Sequence, residues 1–370
     1  VSLKNVVKAL IINDSLEKTM RMLYSFWGFI TPLEKNSVVN TPDGERGNRV
    51  DFVNELLKRG HTPIQLQKLR DDEQYPGVEY SDSGFPDGDI LYVEWRWPTW
   101  KNSGEEPSEP DYTRQCQVLD HYHEQGIPIV IVDGDLKMTP EEELRWPNAI
   151  LADACVSPQH QTRKRITIPW CNYMKRYFEP VEYSYNYTYV GNNYEREEPF
   201  AEYYTGASGR LRMLGIQTSI YGNWLQKSPE RTDPALLISR TPYATFGPRL
   251  AYKDIFSVLN SSITVTHITK PSYTPFGNIT GRFFEAIKSN VPALIPIEFQ
   301  HAIPVGLSDG ALLVNSSDDV VEKVKWLSTL GAGERKALVD AQEEALRTVI
   351  DPRPEYRADL LEHILGDYRT

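Results

Sequence analysis

Short apolar runs separated by amphipathic stretches set the pattern of this chain. Val6–Ile12 (VVKALII), Thr62–Gln67, Asp89–Trp95 (DILYVEW) and Ile127–Val132 (IPIVIV) read as buried strands, the last as the clearest parallel-type strand. Between them, Arg49–Arg59 places Val50, Val53, Leu56 and Leu57 on one helical face, and Tyr112–Glu124 predicts a second helix. Leu16–Pro32 reads as an aromatic- and Met-rich loop facing a ligand cleft. Asn36–Asn48 and Lys101–Asp111 read as polar, mobile loops. Asn148–Asp153 and Ile166–Pro169 supply the last strands of this half, and a linker is expected near Trp170–Glu182. Beyond it, Tyr183, Tyr185, Tyr187 and Tyr189 alternate with Ser184, Asn186, Thr188 and Val190, a strand of period two. Ile216–Trp224 and Ser262–Thr266 predict strands and Leu250–Leu259 a helix. Gly310–Val314 is a further strand, and Ser317–Leu330, Gly333–Thr348 and Arg353–Gly366 are closing helices. Strand and helix alternate throughout, which argues for doubly wound α/β architecture.

One stretch concentrates candidate chemistry. Pro275–Ile297 (PFGNITGRFFEAIKSNVPALIPI) predicts a loop, a helix over Ile279–Lys288, a turn at Ser289-Asn290 and a buried strand. Phe283, Phe284 and Ile287 share a helical face, so the helix packs on a sheet and its start, with Thr280, Gly281 and Arg282, lies at the sheet's carboxyl edge. Free backbone amides and the positive dipole end favour an anion there, and Arg282 adds charge. Glu285, a turn later, is placed to accept hydrogen bonds from ribose hydroxyls. The competing reading is an ordinary amphipathic helix with solvated Glu and Arg. In the first half, Asp133 and Asp135 follow the strand Ile127–Val132, where carboxylates point into the crevice of an open sheet. The alternative is a helix N-cap made by Asp135 or Thr139. Glu94 ends the preceding strand. Arg196 either neutralises a bound diphosphate or pairs with Glu195, Glu197 or Glu198.

The order loop–Gly–helix–Arg-x-x-Glu-Ala–turn–x-Pro-x-Leu-Ile resembles the donor-binding segment of GT-B glycosyltransferases, closest to the group-1 and spore-maturation-protein-like branches. The resemblance implies two Rossmann-like domains facing a cleft, Glu285 on the ribose of a nucleotide sugar, and Thr280, Gly281 and Arg282 near its diphosphate. Gly191-Asn192-Asn193-Tyr194-Glu195-Arg196 resembles the segment that opens the GT-B carboxyl-terminal domain, where Gly191 lets the backbone approach the phosphates and Arg196 neutralises them. Ile216–Trp224 is similar to the second strand of that domain. Two positions depart from the pattern: Gly277 stands where retaining group-1 enzymes carry a Glu, and Asn290 replaces a Gly, a residue that still tolerates a left-handed turn. The expected division is 1–175 for the acceptor domain and 176–350 for the donor domain, with a helix in 351–370 crossing back. The resemblance implies a UDP-linked donor and no metal or other cofactor, with the arginines and helix start replacing a divalent ion. Asp135, then Asp133, then Glu94 are the candidate bases for the acceptor hydroxyl. Acceptors in such families include glycans and, in some phage enzymes, hydroxymethylated DNA bases. The Asp-rich turn is similar to the cleft turn of phage DNA glucosyltransferases.

Composition narrows the alternatives. The chain has 370 residues, 40% hydrophobic and 25% charged, long enough for two cores. No apolar run approaches a membrane span and no secretory signal is visible. Three widely spaced cysteines fit a reducing cytosol, that of a bacterium or of a phage host, and argue against a zinc site. A net charge of −11 disfavours a dedicated polyanion binder, although Arg163-Lys164-Arg165, with Lys175-Arg176 nearby, keeps DNA open as a partner. No Gly-x-Gly-x-x-Gly follows the first strand, which removes support for a dinucleotide site. Two other classes compete: a nucleotide-sugar epimerase of the same architecture, and a non-catalytic nucleic-acid binder that stacks bases on the tyrosine ladder.

Overall fold

The computed structural model of the chain describes residues 19–26, 44–66, 75–81, 84–95, 109–158, 162–169, 181, 184–227, 232–299, 301–302, 310–351 and 353–369. The expected strand Val6–Ile12 and the 175/176 boundary lie outside those residues, as do Cys171, Lys175 and Arg176.

The first half builds one parallel sheet. Its elements are β1 (Arg21–Ser25), α1 (Gly44–Lys58), β2 (Thr62–Gln65), β3 (Glu79–Tyr80), β4 (Ile90–Glu94), α2 (Glu109–Glu124), β5 (Ile129–Val132), α3 (Pro140–Arg145), β6 (Ile150–Asp153) and β7 (Arg165–Thr167). The strand order is β3-β2-β1-β4-β5-β6-β7, with every neighbouring pair parallel. The expectation of a loop over Leu16–Pro32 is corrected here, because Arg21–Ser25 is an interior strand, paired with both β2 and β4. Its Met22 and Tyr24 face one core and Leu23 the other. The mobile-loop readings are corrected at their edges too, since α1 already starts at Gly44 and α2 at Glu109.

The second half repeats the plan. It contains β8 (Asn186–Val190), α4 (Glu197–Phe200), which runs through a π-helical turn at Ala201–Thr205 into α5 (Gly206–Met213), then β9 (Gln217–Tyr221), α6 (Pro234–Arg240), β10 (Ala244–Gly247), α7 (Tyr252–Asn260) and β11 (Val265–Thr266). A 3-10 segment at Pro271–Phe276 leads into α8 (Gly281–Lys288), β12 (Ala293–Pro296), β13 (Leu313–Val314), α9 (Ser317–Leu327), α10 (Ala332–Arg347) and α11 (Pro354–Arg369). Two three-stranded parallel ribbons, β10-β9-β8 and β11-β12-β13, meet at a parallel bridge between Tyr187 and Thr264. Across that bridge the order is β10-β9-β8-β11-β12-β13. In both sheets the winding direction reverses beside the first strand, between β1 and β4 and between β8 and β11. Crevices for ligands open at the carboxyl ends of strands at such reversals.

Two further features fix the layout. Tyr187 and Tyr189 are buried in the second core, where Tyr187 stacks on Tyr204 with ring centroids 4.5 Å apart. These two rungs are therefore packing, not a platform for bases, whereas Tyr185 is exposed and Tyr183 lies outside the described residues. Helix α11 returns to the first lobe: Ala358, Leu361, Ile364 and Leu365 join the core formed by Val50, Val53 and Leu56 of α1. Arg59 pairs with Asp359 at 2.7 Å, and His61 Nε2 lies 2.8 Å from Glu362.

Candidate functional site

Helix α8 is held by its apolar face. Phe283, Phe284 and Ile287 are fully buried, each worth about 1.5–3 kcal/mol relative to exposure, and they seat the helix start at the carboxyl ends of β8 and β11. Thr280 occupies the N-cap in an extended conformation, yet its side chain caps nothing and its buried Oγ1 has no partner among the described residues. A Cβ at Gly281 would meet no atom within 4 Å, so the first helical residue borders open space. Asn290 takes φ 55° in the turn after α8, the left-handed conformation the sequence allowed.

Arg282 and Glu285 share the same helical face. Arg282 Nη1 lies 2.6 Å from Glu285 Oε2, but off the hydrogen-bonding direction, so that oxygen accepts no hydrogen bond. Glu285 is only 3% exposed. Burial raises its carboxyl above the ordinary carboxylate range, with Arg282 and Lys288 pulling the other way. Beside it lies a small, partly open pocket walled by Tyr189, Thr266, His267, Arg282 and Glu285 among others. His267 follows β11 directly, is 2% exposed, and has no partner for either ring nitrogen among the described residues. Burial, reinforced by the charge of Arg196, lowers its pKa to about 3, so the imidazole is neutral. The hydroxyl of Tyr189 is likewise buried without a partner. Sequence reasoning missed His267 and Tyr189. The signal for His267 was its place, one residue past a strand at the reversal point; Tyr189 was hidden in the ladder.

The Gly191 segment supports this pocket from below. Gly191 O accepts a 2.8 Å hydrogen bond from Trp224 Nε1, and a Cβ on Gly222 would lie 2.1 Å from that same oxygen. Only glycine at 222 allows the two loops to meet. Arg196 donates to Asn192 O at 2.9 Å and makes no ion pair among the described residues. The acidic neighbours are engaged elsewhere: Glu195 with Lys270 and Glu197 with Asn193 and Thr232. The charge of Arg196 instead reaches Tyr189, His267 and Tyr273.

The three carboxylates of the first lobe separate by environment. Glu94, at the end of β4, accepts two hydrogen bonds from Arg49, at 3.0 and 2.7 Å, and one from Tyr24. Asp133 is 1% exposed. It accepts from the amides of Lys137 and Met138 and from Arg165. Burial raises its carboxyl to about 6 against those opposing contacts. Asp135 is half-buried and free of such duties, because the cap of α3 is Thr139 in a capping box with Glu142. Its Oδ1 accepts from the hydroxyl of Tyr273, in the second lobe, at 3.2 Å. Two members of the basic run bond inward while Lys164 is exposed: Arg165 is surrounded by Asp133, Glu143 and Asp153, and the partly buried Arg163 donates to the carbonyls of Glu143, Trp146 and Ala149.

The lobes meet along the segment leading into α8. Asn278 Nδ2 donates to Gly134 O at 3.1 Å, and the amides of Val156 and Ser157 donate to Gly277 O and Phe276 O at 3.1 Å. Gly277 has φ 65°, and a Cβ there would lie 2.4 Å from that of Ala302. A Glu at this position has no room, which explains the departure seen in the sequence.

No family model matches the sequence, and no curated protein matches it. Solved structures do. The DNA modifying enzyme β-glucosyltransferase superposes with a TM-score of 0.55 at 14% identity, over 94% of this chain and 99% of its own. T4 phage BGT in complex with its UDP-glucose substrate gives 0.57 at 14% identity, again over 94% and 99%. Sucrose-phosphate synthase from Thermosynechococcus elongatus gives 0.57 at 10% identity, over 94% and 100%. The chain has the GT-B fold. At these identities the likeness is one of fold. In this GT-B chain the pocket beside α8 and the turn at Asp135 lie on opposite sides of one interlobe seam, joined through Tyr273.

Proposed function

We propose that the protein is a glycosyltransferase that moves a sugar from a nucleotide-diphosphate donor, UDP-linked, to an acceptor hydroxyl, with residues 1–175 as acceptor domain and 176–350 as donor domain. The observation that carries this reading is a pocket walled by buried polar atoms that lack hydrogen-bond partners among the described residues, Tyr189 Oη and both His267 nitrogens, with the Arg282–Glu285 ion pair beside them and the unpartnered Thr280 Oγ1 at the start of the same helix. Burying a polar group without a partner costs roughly 1–3 kcal/mol, and a ligand rich in hydroxyls and phosphate oxygens removes that cost. Glu285 takes the ribose hydroxyls. Thr280, Gly281, Arg282 and the start of α8 take the diphosphate, with Arg196 and Gly191 closing on it. Stabilising the diphosphate as it leaves is the main electrostatic task of the reaction, and these groups perform it without a metal or a further cofactor.

Asp135 receives the acceptor proton in this reading. Asp133 and Glu94 hold the first lobe together instead, because their carboxylates are saturated by Arg165, two amides, Arg49 and Tyr24. Similarity to a DNA modifying enzyme makes a hydroxymethylated DNA base one acceptor to test. The internal use of Arg163 and Arg165 and the net charge of −11 favour an uncharged glycan hydroxyl, since a DNA duplex needs cations on its phosphates. Thermal-shift screening with UDP-, GDP- and ADP-sugars, followed by an assay for nucleotide release, tests the reading. A rise in Tm with a UDP-sugar is expected, and no response to any nucleotide sugar would reject the proposal.

A further inference from the structure

The segment between β11 and α8 is a strap that belongs to the donor side in sequence and touches the acceptor side in space. Its residue Tyr273 is 5% exposed and sits in the 3-10 turn Pro271–Phe276, which closes on Gly277 in the left-handed conformation. The Lys270 ammonium lies 5.4 Å from the centre of its ring. The phenol has one side-chain partner, Asp135 Oδ1 at 3.2 Å, and approaches the carbonyl of the same residue at 3.4 Å. Among the described residues, no other side chain or amide donates to the Asp135 carboxylate.

We propose that Tyr273 is a positioning residue for Asp135: the donor-side lobe supplies the hydrogen bond that orients the carboxylate taking the acceptor's proton. This rests on the glycosyltransferase reading above. Three features support it. The phenol stays protonated, because burial and the nearby Asp135 raise its pKa far above neutrality, so it donates its hydrogen to the carboxylate. Both backbones are fixed around the contact: Gly134 O is held by Asn278, Asp133 anchors the turn through Lys137 N and Met138 N, and the strap is bonded to Val156 and Ser157. The distance of 3.2 Å is longer than the usual O–H···O spacing of about 2.7–2.8 Å, which leaves room to tighten when the adjacent pocket fills.

The consequence is a division of labour within one carboxylate. Oδ1 is occupied by the hydrogen of Tyr273, and Oδ2 is left for the acceptor. During transfer the acceptor O–H bond breaks and its proton goes to Oδ2. The acceptor oxygen forms a bond to the anomeric carbon. The bond from that carbon to the diphosphate oxygen breaks, and its electron pair leaves with the diphosphate. Tyr273 gains and loses nothing. Asp135 is oriented only when the strap is docked across the seam, so the base is completed by the lobe that binds the donor.

The test uses the full chain, UDP-glucose as donor and water as acceptor, with release of UDP as the readout. Tyr273→Phe should slow turnover about tenfold through lost orientation, while UDP affinity by calorimetric titration and Tm stay at wild-type values. In an Asp135→Asn background the same change should alter the residual rate by less than about twofold, since coupled positions are non-additive. Wild-type turnover in Tyr273→Phe overturns the inference. So does an equal loss in the Asp135→Asn background or a parallel loss of UDP affinity. Undiminished turnover in Asp135→Asn would remove the base assignment beneath it, and no binding of UDP or UDP-glucose would remove the glycosyltransferase reading itself.

Discussion

Glu285 concentrates the argument at the scale of single residues. A carboxylate buried among apolar side chains with one off-axis ion pair destabilises the free protein, because its folded pKa is raised. The sign follows: the penalty is absent below the unfolded value near 4.5 and grows as pH rises through the folded one. Glu285→Gln should therefore raise the ligand-free Tm at pH 7–8, by about 1–3 °C, and this gain should vanish at pH 4 in a pH series of melting curves. Gly281 makes the complementary case. Its Cβ position is open, so Gly281→Ala should leave Tm unchanged or slightly higher, yet it should weaken UDP binding about tenfold if phosphate oxygens approach that backbone. The Arg-x-x-Glu spacing made both residues legible in the sequence, since one helical turn separates them. His267 was not legible in the same way: a lone histidine after a two-residue strand carries no periodicity, and its importance comes from burial that only the packed fold creates. The sequence ranked Asp135 before Asp133 without showing their surroundings: in the fold Asp133 accepts from two amides and Arg165, and Asp135 from Tyr273 alone among the described side chains.

Among the elements, the long apolar strands were readable because burial on both faces leaves a continuous signal, as in Ile129–Val132. β1 was not. Its five residues, RMLYS, begin and end on polar side chains, and a stronger apolar run upstream drew the assignment away. β10 escaped for a similar reason: ATFG is short and lies at the sheet edge, where no second partner demands apolar residues. Helix α11 shows how an element remote in sequence stabilises the first lobe. Leu361 is fully buried in that lobe's core, so Leu361→Ala should cost about 2–5 kcal/mol of stability, measured by chemical denaturation, with UDP affinity of the remaining folded protein unchanged. A substitution that lowered UDP affinity while leaving stability alone would show that α11 serves the pocket instead.

At the scale of the whole molecule, two sheets of the same winding bring their reversal points to one seam, and the GT-B architecture follows from that repetition more than from any local motif. The doubly wound class was legible from strand–helix alternation, whereas a returning last helix was expected only from the family resemblance. The strap from Lys270 to Asn278 was not, because its contacts join residues about 140 positions apart, as in the Tyr273–Asp135 pair separated by 138. Charge at this scale also bears on the acceptor. If the acceptor were duplex DNA, its affinity should fall steeply with salt; a glycan acceptor should show a nearly flat salt dependence in the same titration. With Arg163 and Arg165 held inside the first lobe, the flat dependence is expected.

The central claim is that the pocket beside α8 grips a nucleotide diphosphate through Glu285 and its neighbours. Calorimetric titration of UDP-glucose into the wild type and into Glu285→Ala tests it most directly. Loss of charge-assisted hydrogen bonds worth about 1.5–3 kcal/mol predicts roughly 10- to 100-fold weaker binding in a variant whose Tm is at least that of the wild type. Equal affinity in the two proteins would contradict the account.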